Sequence, residues 1–208
     1  MPLITDIKPQ KNKKRFNIYL DGRFAFGLSV EARLKARLKI DQEISEEKVD
    51  ELIKEDEFIK FYDRALNFLS YRPRSEKELQ DWFKKKKIGN KTQKLIEKKL
   101  RRFNYLDDRE FTRWWIEQRM TFRPFGKRRL DLELRQKGIN QEMIEEELGK
   151  LEDDKLIELA EELAKKRMKT LKNLPYFETR EKLLAFLSRR GFRWEIIKTV
   201  VAKTLKKE

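Results

Sequence analysis

The sequence repeats itself at an interval of about fifty residues, and this repetition is the strongest constraint on its fold. Leu79, Leu130 and Leu183 are 51 and 53 residues apart, and similar apolar residues follow each leucine at helical spacing. A repeat of this length indicates tandem copies of one supersecondary unit, each of which buries its apolar face against its neighbours. We therefore expect a mainly α fold built from tandem three-helix, helix-turn-helix-like repeats.

Local sequence signals mark the start of the second helix of the first repeat. Arg72 precedes Pro73, and a residue before proline avoids helical backbone angles. Ser75 can cap the next helix, and Glu78, three residues on, can return the hydrogen bond. The repeats predict helices at about 58–70, 75–86, 91–103, 108–121, 126–137, 141–149, 153–170, 178–189 and 193–206.

The second helix of each repeat is followed by a turn. Gly138 and Gly191 stand where a helix end favours a left-handed residue, whereas Lys87 occupies that place in the first repeat. Three extra residues also precede Leu95, so we expect the first repeat's turn to differ. The third helices are predicted to bury three sets of apolar residues: Leu95, Ile96 and Leu100; Met143, Ile144 and Leu148; and Ile196, Ile197 and Val201.

The N-terminal part has strand patterns. Asp21-Gly22 lies between two alternating aromatic runs and predicts a type I′ hairpin, and residues 4–7 add a third strand. Helices are expected at 30–37 and 45–70, the second capped by Ser45. The predicted domains are a β-hairpin and helical extension at 1–57 and three-helix repeats at 58–106, 107–150 and 151–208.

The net charge of +15 is concentrated in parts of the chain. Residues 58–106 carry 15 basic and 5 acidic side chains, and residues 84–102 carry ten and one. Lysines spaced by three or four residues can share one face and bind nucleic-acid phosphates without reading sequence. The competing interpretation is a solvated lysine-rich face. The predicted DNA-binding residues are Arg72, Arg74, Lys84, Lys87, Lys91, Lys94 and Lys98.

Composition also excludes several kinds of chemistry. Without Cys or His the chain has no disulfide, thiolate metal site or His-based triad, and we expect neither metal nor cofactor. No apolar run is long enough to span a bilayer, so we expect a cytoplasmic protein without membrane contact. Two acidic pairs could suggest a divalent-metal nuclease. However, Asp107 and Asp108 lie at the start of a predicted helix, where aspartates are favourable, and Asp131 and Glu133 are two residues apart and do not face each other on a helix. We therefore expect no enzyme.

Three stretches within residues 58–206 carry a family likeness: residues 71–79, residues 105–119 with the motif Tyr-Leu-Asp-Asp, and residues 126–139. Together they resemble the RecX family, regulators of the bacterial recombinase RecA. The resemblance implies an elongated, curved array of repeats that binds in the groove of the RecA–DNA filament and inhibits strand exchange and ATPase activity, with roles in recombination, repair and the SOS response. The segment before residue 58 resembles an extension found in some members.

These observations lead to one functional hypothesis and one alternative. We expect a non-enzymatic, monomeric regulator that contacts the RecA nucleoprotein filament and single- or double-stranded DNA. Residues 107–150 carry ten basic and ten acidic side chains, a balance that suits protein contact, and the predicted RecA contacts are Trp114, Arg119 and Arg123. Burial could instead make Arg119 structural. The alternative is a stand-alone, sequence-tolerant architectural DNA-binding protein.

Overall fold

The computed structural model describes residues 1–11 and 13–206. Within these residues the chain is mostly helical, with one small sheet at the N-terminal end. The strands are β1 Ile4–Pro9, β2 Arg15–Leu20 and β3 Arg23–Ser29. The helices are α1 Val30–Ala36, α2 Glu46–Ser70, α3 Glu76–Lys85, α4 Asn90–Arg102, α5 Asp108–Phe122, α6 Lys127–Gln136, α7 Gln141–Gly149, α8 Asp153–Met168, α9 Tyr176–Arg189 and α10 Trp194–Leu205.

The chain divides into two compact units, which are described separately. Unit 1 comprises residues 1–72 and 80–105, and unit 2 comprises residues 73–79 and 106–208. The predicted domain boundary between residues 57 and 58 falls inside the continuous helix α2. The other predicted boundaries lie close to the starts of α5 and α8, at residues 108 and 153.

Unit 1 begins with an antiparallel sheet in the order β1-β2-β3. Asp21 and Gly22, which join β2 to β3, have φ angles of 48° and 78°. A type I′ turn needs positive φ at both central residues, so the predicted hairpin and the additional first strand are confirmed. The inner face of the sheet buries Ile4, Ile18 and Leu28 in a cluster that includes Leu52 of α2.

Asp56 ties this sheet to α2. Its carboxylate accepts hydrogen bonds from the Arg15 guanidinium at 2.7 Å and from the Ser29 amide at 2.6 Å. Asp56 is only 5% exposed, and a buried carboxylate is tolerated when a cation and an N–H satisfy it. The same Arg15 also donates to the Gly27 carbonyl. Asp56 is therefore a structural link between the sheet and α2.

The first repeat consists of the second half of α2 with α3 and α4. Its core within unit 1 includes Tyr62, Phe83, Ile96 and Leu100. The Lys99 ammonium lies 4.0 Å from the centre of the Tyr62 ring and forms a cation–π contact with it. One lysine of the basic segment 84–102 therefore contacts the protein itself.

Unit 2 contains the second and third repeats. In the second, α5, α6 and α7 enclose a cluster that includes Phe111, Leu130 and Ile144. In the third, α8, α9 and α10 enclose a separate cluster that includes Ala160, Leu183 and Val200. Three short helices around each core confirm the predicted architecture.

The second helices of the three repeats match position for position from the repeated leucine to the helix end. Leu79, Leu130 and Leu183 are each fully buried and each lies six residues before the end of the helix. Eight residues after each leucine comes a residue with positive φ: Lys87 at 54°, Gly138 at 84° and Gly191 at 82°. The expectation that the first turn differs is therefore wrong.

The hydrogen bonds of the three turns are also the same. In the first, the Lys87 amide donates to the Lys84 carbonyl and the Ile88 amide to the Phe83 carbonyl. The equivalent pairs follow Leu130 and Leu183, and together they form the Schellman motif that ends many helices. The next residue in each case, Ile88, Ile139 or Phe192, is buried.

The three extra residues of the first repeat are accommodated in α4 rather than in the turn. All three third helices begin eleven residues after the repeated leucine, but α4 reaches its core residues Ile96 and Leu100 one turn later. Gln93 occupies the earlier position and donates to the Ile88 carbonyl. Leu95 is 57% exposed, so its predicted burial is wrong; it lies 100° around the helix from Ile96.

The start of α3 and the start of α6 contact the turn of the following repeat in the same way. The Ser75 hydroxyl donates to the Lys137 carbonyl at 2.7 Å and accepts from the Glu78 amide as the predicted cap. At the equivalent place the Gly126 amide donates to the Arg190 carbonyl at 2.9 Å. Both acceptors are backbone groups of a Schellman turn.

Close approach at these junctions explains where glycine is needed. A methyl group on Gly191 would lie 2.4 Å from the Arg129 nitrogen, and one on Gly126 would lie 2.2 Å from the Gly191 oxygen. Neither distance is compatible with normal packing. Lys87 is exposed, and its side chain has room that Gly191 lacks.

Candidate nucleic-acid and protein interface

The outer face of α4 is basic. Lys91, Lys94 and Lys98 are exposed and lie on the side of the helix opposite Ile96 and Leu100. Among the described residues, no carboxylate forms an ion pair with any of these three lysines. An exposed row of ammonium groups without internal partners has the spacing and freedom that phosphate contact requires.

The other predicted DNA-binding residues lie at different places. Lys84 is in the last turn of α3, 3.8 Å from Asp81, and Lys87 is in the turn that follows. Both are exposed, whereas Arg72 and Arg74 are half-buried before α3. The lysines therefore offer the freely accessible charges of this set.

The acidic pairs that could suggest a nuclease have structural roles. Asp107 caps α5 by accepting from the amides of Arg109 and Glu110, and Asp108 accepts from the Glu76 amide at 2.8 Å. Asp131 forms an ion pair with Arg135 one turn along α6. Across residues 1–11 and 13–206, no group of three potential metal ligands is present.

Glu133 accepts hydrogen bonds from two side chains of α5. It accepts from the Trp115 indole at 3.1 Å and from the Arg119 guanidinium at 2.7 Å. The Arg119 guanidinium also lies 4.3 Å from the centre of the Trp115 ring. Arg119 therefore has a structural role, which is the alternative interpretation of this residue. Trp114 is half-buried beside Phe111.

A second ionic cluster joins α5 to α7. Glu147 is 4% exposed and pairs with Arg109, Arg113 and Lys150. Burial alone would raise the pKa of Glu147, but hydrogen bonds from Arg113 and Lys150 outweigh it and lower the pKa. The neighbouring Glu146 accepts from Arg109 and Lys150, and these bonds lower its pKa from 4.5 to about 2. Both carboxylates are charged at neutral pH.

Arginines from the second and third repeats converge around a pocket of about 530 Å³ in unit 2. The pocket is lined by Arg123, Phe125, Arg129, Phe186, Arg189 and Arg190. Of these residues, only Arg123 is among the predicted functional residues, as a RecA contact. The doublet Arg189-Arg190 stood directly before the turn glycine, but nothing in the sequence shows that it meets residues 66 positions earlier.

None of the helices that the structure describes is both long and apolar enough to cross a membrane.

The architecture defines a class of tandem three-helix-repeat proteins with an N-terminal sheet, and comparison with known proteins identifies the family. Four family models match: the regulatory protein RecX N-terminal domain at residues 2–45, and the first, second and third RecX three-helix domains at 62–92, 107–148 and 153–201. The chain belongs to the RecX family. The likeness includes the N-terminal sheet, which lies before the stretch that the sequence motifs covered.

Relatives and solved structures agree with this membership. The chain is 35% identical to regulatory protein RecX of Bacillus licheniformis, over 98% of this chain and 78% of that protein. It is 32% identical to regulatory protein RecX of Clostridium tetani, over 97% and 94%. A crystal structure of regulatory protein RecX matches the whole of both chains with a TM-score of 0.75 at 29% identity. The RecX structure from Lactobacillus salivarius matches 72% of this chain with a TM-score of 0.65.

Proposed function

We propose that this protein is a non-enzymatic regulator that binds the RecA–DNA filament and lowers its strand-exchange and ATPase activities. Membership of the RecX family supports the regulatory role. The observation that carries DNA contact is the row of exposed, internally unpaired lysines on α4. We also propose that it acts in the cytoplasm, where it would meet the RecA–DNA filament, and that it acts as a monomer.

The first experiment measures the ATPase activity of RecA on single-stranded DNA at increasing concentrations of the protein. We expect inhibition at or below one molecule per RecA, because a groove-bound regulator acts on the assembled filament. A parent protein that leaves RecA unchanged at low salt while binding DNA would refute the RecA assignment. It would favour the stand-alone architectural DNA-binding protein instead.

DNA contact through the first repeat is tested by replacing Lys84, Lys87, Lys91 and Lys94 with Gln. Each lost phosphate contact should lower the slope of log K against log salt by about 0.7–0.9, with similar weakening for all sequences. A control with the same charge loss replaces Lys11, Lys13, Lys39 and Lys54, which are exposed in the electrically balanced N-terminal segment. Equal slopes for the two variants would place the phosphate contacts elsewhere.

The predicted RecA contact in the second repeat comprises Trp114, Arg119 and Arg123. Of these, Arg123 is exposed, and its neighbour Phe122 is 75% exposed. An exposed aromatic beside arginine suits a protein interface, where such residues dominate the binding energy. Phe122→Ala should weaken RecA inhibition at least about 10-fold in effective concentration, with little effect on binding to free DNA. Parallel losses in both assays would contradict a separate protein contact.

A further inference from the structure

The arginine pocket of unit 2 is unusual in its balance of charge. Arg123, Arg189 and Arg190 form no ion pair with any carboxylate among the described residues, and Arg129 has one at 3.5 Å, to Glu133. Of the four guanidinium groups only that of Arg129 therefore has a carboxylate partner among the described residues, and that carboxylate also binds Arg119 at 2.7 Å. Uncompensated like charges repel each other, and such an arrangement is stabilised by a bound anion.

The aromatic residues of the pocket contact two of its four arginines, Arg129 and Arg190. The Arg190 guanidinium lies 5.4 Å from the centre of the Phe125 ring and 5.2 Å from that of Phe186, and it donates to the Pro124 carbonyl. The Arg129 guanidinium lies 5.7 Å from Phe125. Cation–π contacts of this kind fix the guanidinium planes before a ligand arrives, which reduces the entropy lost on binding.

The electrostatics agree with this geometry. Burial lowers the pKa of Arg190, and the positive charge of Arg123 lowers it further. A guanidinium remains charged under these conditions. The positive charge of Arg190 is therefore half-buried and repelled by that of Arg123, and a bound anion would reduce this repulsion.

We propose that this pocket binds backbone phosphate of a nucleic-acid strand, as a second DNA contact separate from the α4 lysines. Planar guanidinium groups match phosphate oxygens with paired hydrogen bonds, which the ammonium groups of α4 cannot do. The pocket volume of about 530 Å³ accommodates more than a single ion. The inference deepens the DNA contact of the proposed function and rests on that part of it.

The test compares Arg123→Gln/Arg189→Gln with the parent in binding a labelled single-stranded oligonucleotide at several salt concentrations. We expect at least about 10-fold weaker binding and a salt slope reduced by about 1.4, from the loss of two phosphate contacts. The single variant Arg189→Gln, which leaves the predicted RecA contact intact, should show about half of that slope change. Inorganic phosphate should compete with the oligonucleotide more strongly on the parent than on the double variant.

The control variant Lys166→Gln/Arg180→Gln removes two exposed charges from the third repeat outside the pocket. Circular dichroism checks the fold of each variant. Equal weakening by pocket and control variants, or no weakening by the pocket variant, would overturn the proposal. So would loss of RecA inhibition with unchanged DNA binding, since the arginines would then meet acidic protein groups. Failure of the broader function is a different result, because there the parent itself would not affect RecA.

Discussion

The turns after α3 and after α9 have the same backbone and different residues at the same position. Lys87 and Gly191 both have positive φ and both precede a buried apolar residue. At Gly191 the start of α6 lies within 2.4 Å of where a side chain would begin, whereas Lys87 is exposed. Packing of the neighbouring repeat, more than the backbone angle, therefore determines where these turns need glycine.

The largest effect is expected from Gly191→Ala. A methyl group at this site would contact the Arg129 backbone, and φ of 82° disfavours any side chain. We expect a loss of about 3 kcal/mol or more in the free energy of unfolding, from overpacking and backbone strain together. Urea unfolding followed by circular dichroism measures it.

Gly138→Ala serves as the graded control for that prediction. The added methyl there would meet the Lys77 side chain, at 2.7 Å from its Cβ and 2.9 Å from its Cδ. Because part of that side chain can move, the loss should be smaller than for Gly191→Ala. Equal losses would indicate that backbone strain alone sets the cost, and would contradict a role for packing of the neighbouring repeat.

An intermediate effect is expected from the ionic cluster of α7. The pKa values of Glu146 and Glu147 are lower than their ordinary value of 4.5 in the folded protein. The contribution of Glu146 is thus complete above about pH 4.5 and disappears as pH falls toward about 2, and the contribution of Glu147 is lost in the same direction below pH 4.5. Glu147→Gln should lower the stability of α7 by about 1–2 kcal/mol at pH 7, with the difference from the parent shrinking below pH 4.5.

Hydrogen exchange of the α7 amides measures that change locally, with Glu162→Gln, an exposed glutamate of α8, as the control. A difference between parent and Glu147→Gln that stayed constant from pH 7 to pH 3 would exclude titration of this cluster as its source.

The smallest effect is expected from Lys87→Gly. Glycine relieves the left-handed strain of Lys87, but it also increases the entropy of the unfolded chain. These terms offset each other, so the unfolding free energy should change by no more than about 0.5 kcal/mol. A stabilisation of more than about 1 kcal/mol would mean that Lys87 is held under strain, and the two turns would then be less alike than their backbones indicate.

Local signals in the sequence were sufficient for the repeats. The caps Ser45 and Ser75 and the Asp21-Gly22 turn each depend on neighbours within a few residues, and the structure confirms them. The burial of Leu79, Leu130 and Leu183 is also confirmed, and it follows from the apolar residues that come after each leucine at helical spacing. These features follow from helix periodicity and turn chemistry.

Features that depend on distant partners were not predictable in the same way. The apolar pattern that α4 shares with the other third helices predicts a buried Leu95, but the position at which α4 begins turns this side chain toward solvent. Nothing in the sequence indicates that Asp56 and Glu147 are buried, because their cationic partners are 41 and up to 38 residues away. The arginine pocket likewise exists only once two repeats pack together.

The continuous helix α2 has a consequence for dissecting this protein. Its 25 residues extend about 37 Å. In its first half, Leu52 belongs to the core of the N-terminal sheet and Asp56 forms the ionic link to that sheet. In its second half, Tyr62 and Ala65 are also buried. A cut at the predicted boundary after residue 57 would expose hydrogen-bonding groups in mid-helix. A fragment carrying the repeats should therefore start near Ser45, and one carrying the sheet should extend to Ser70, so that both fragments share the same helix.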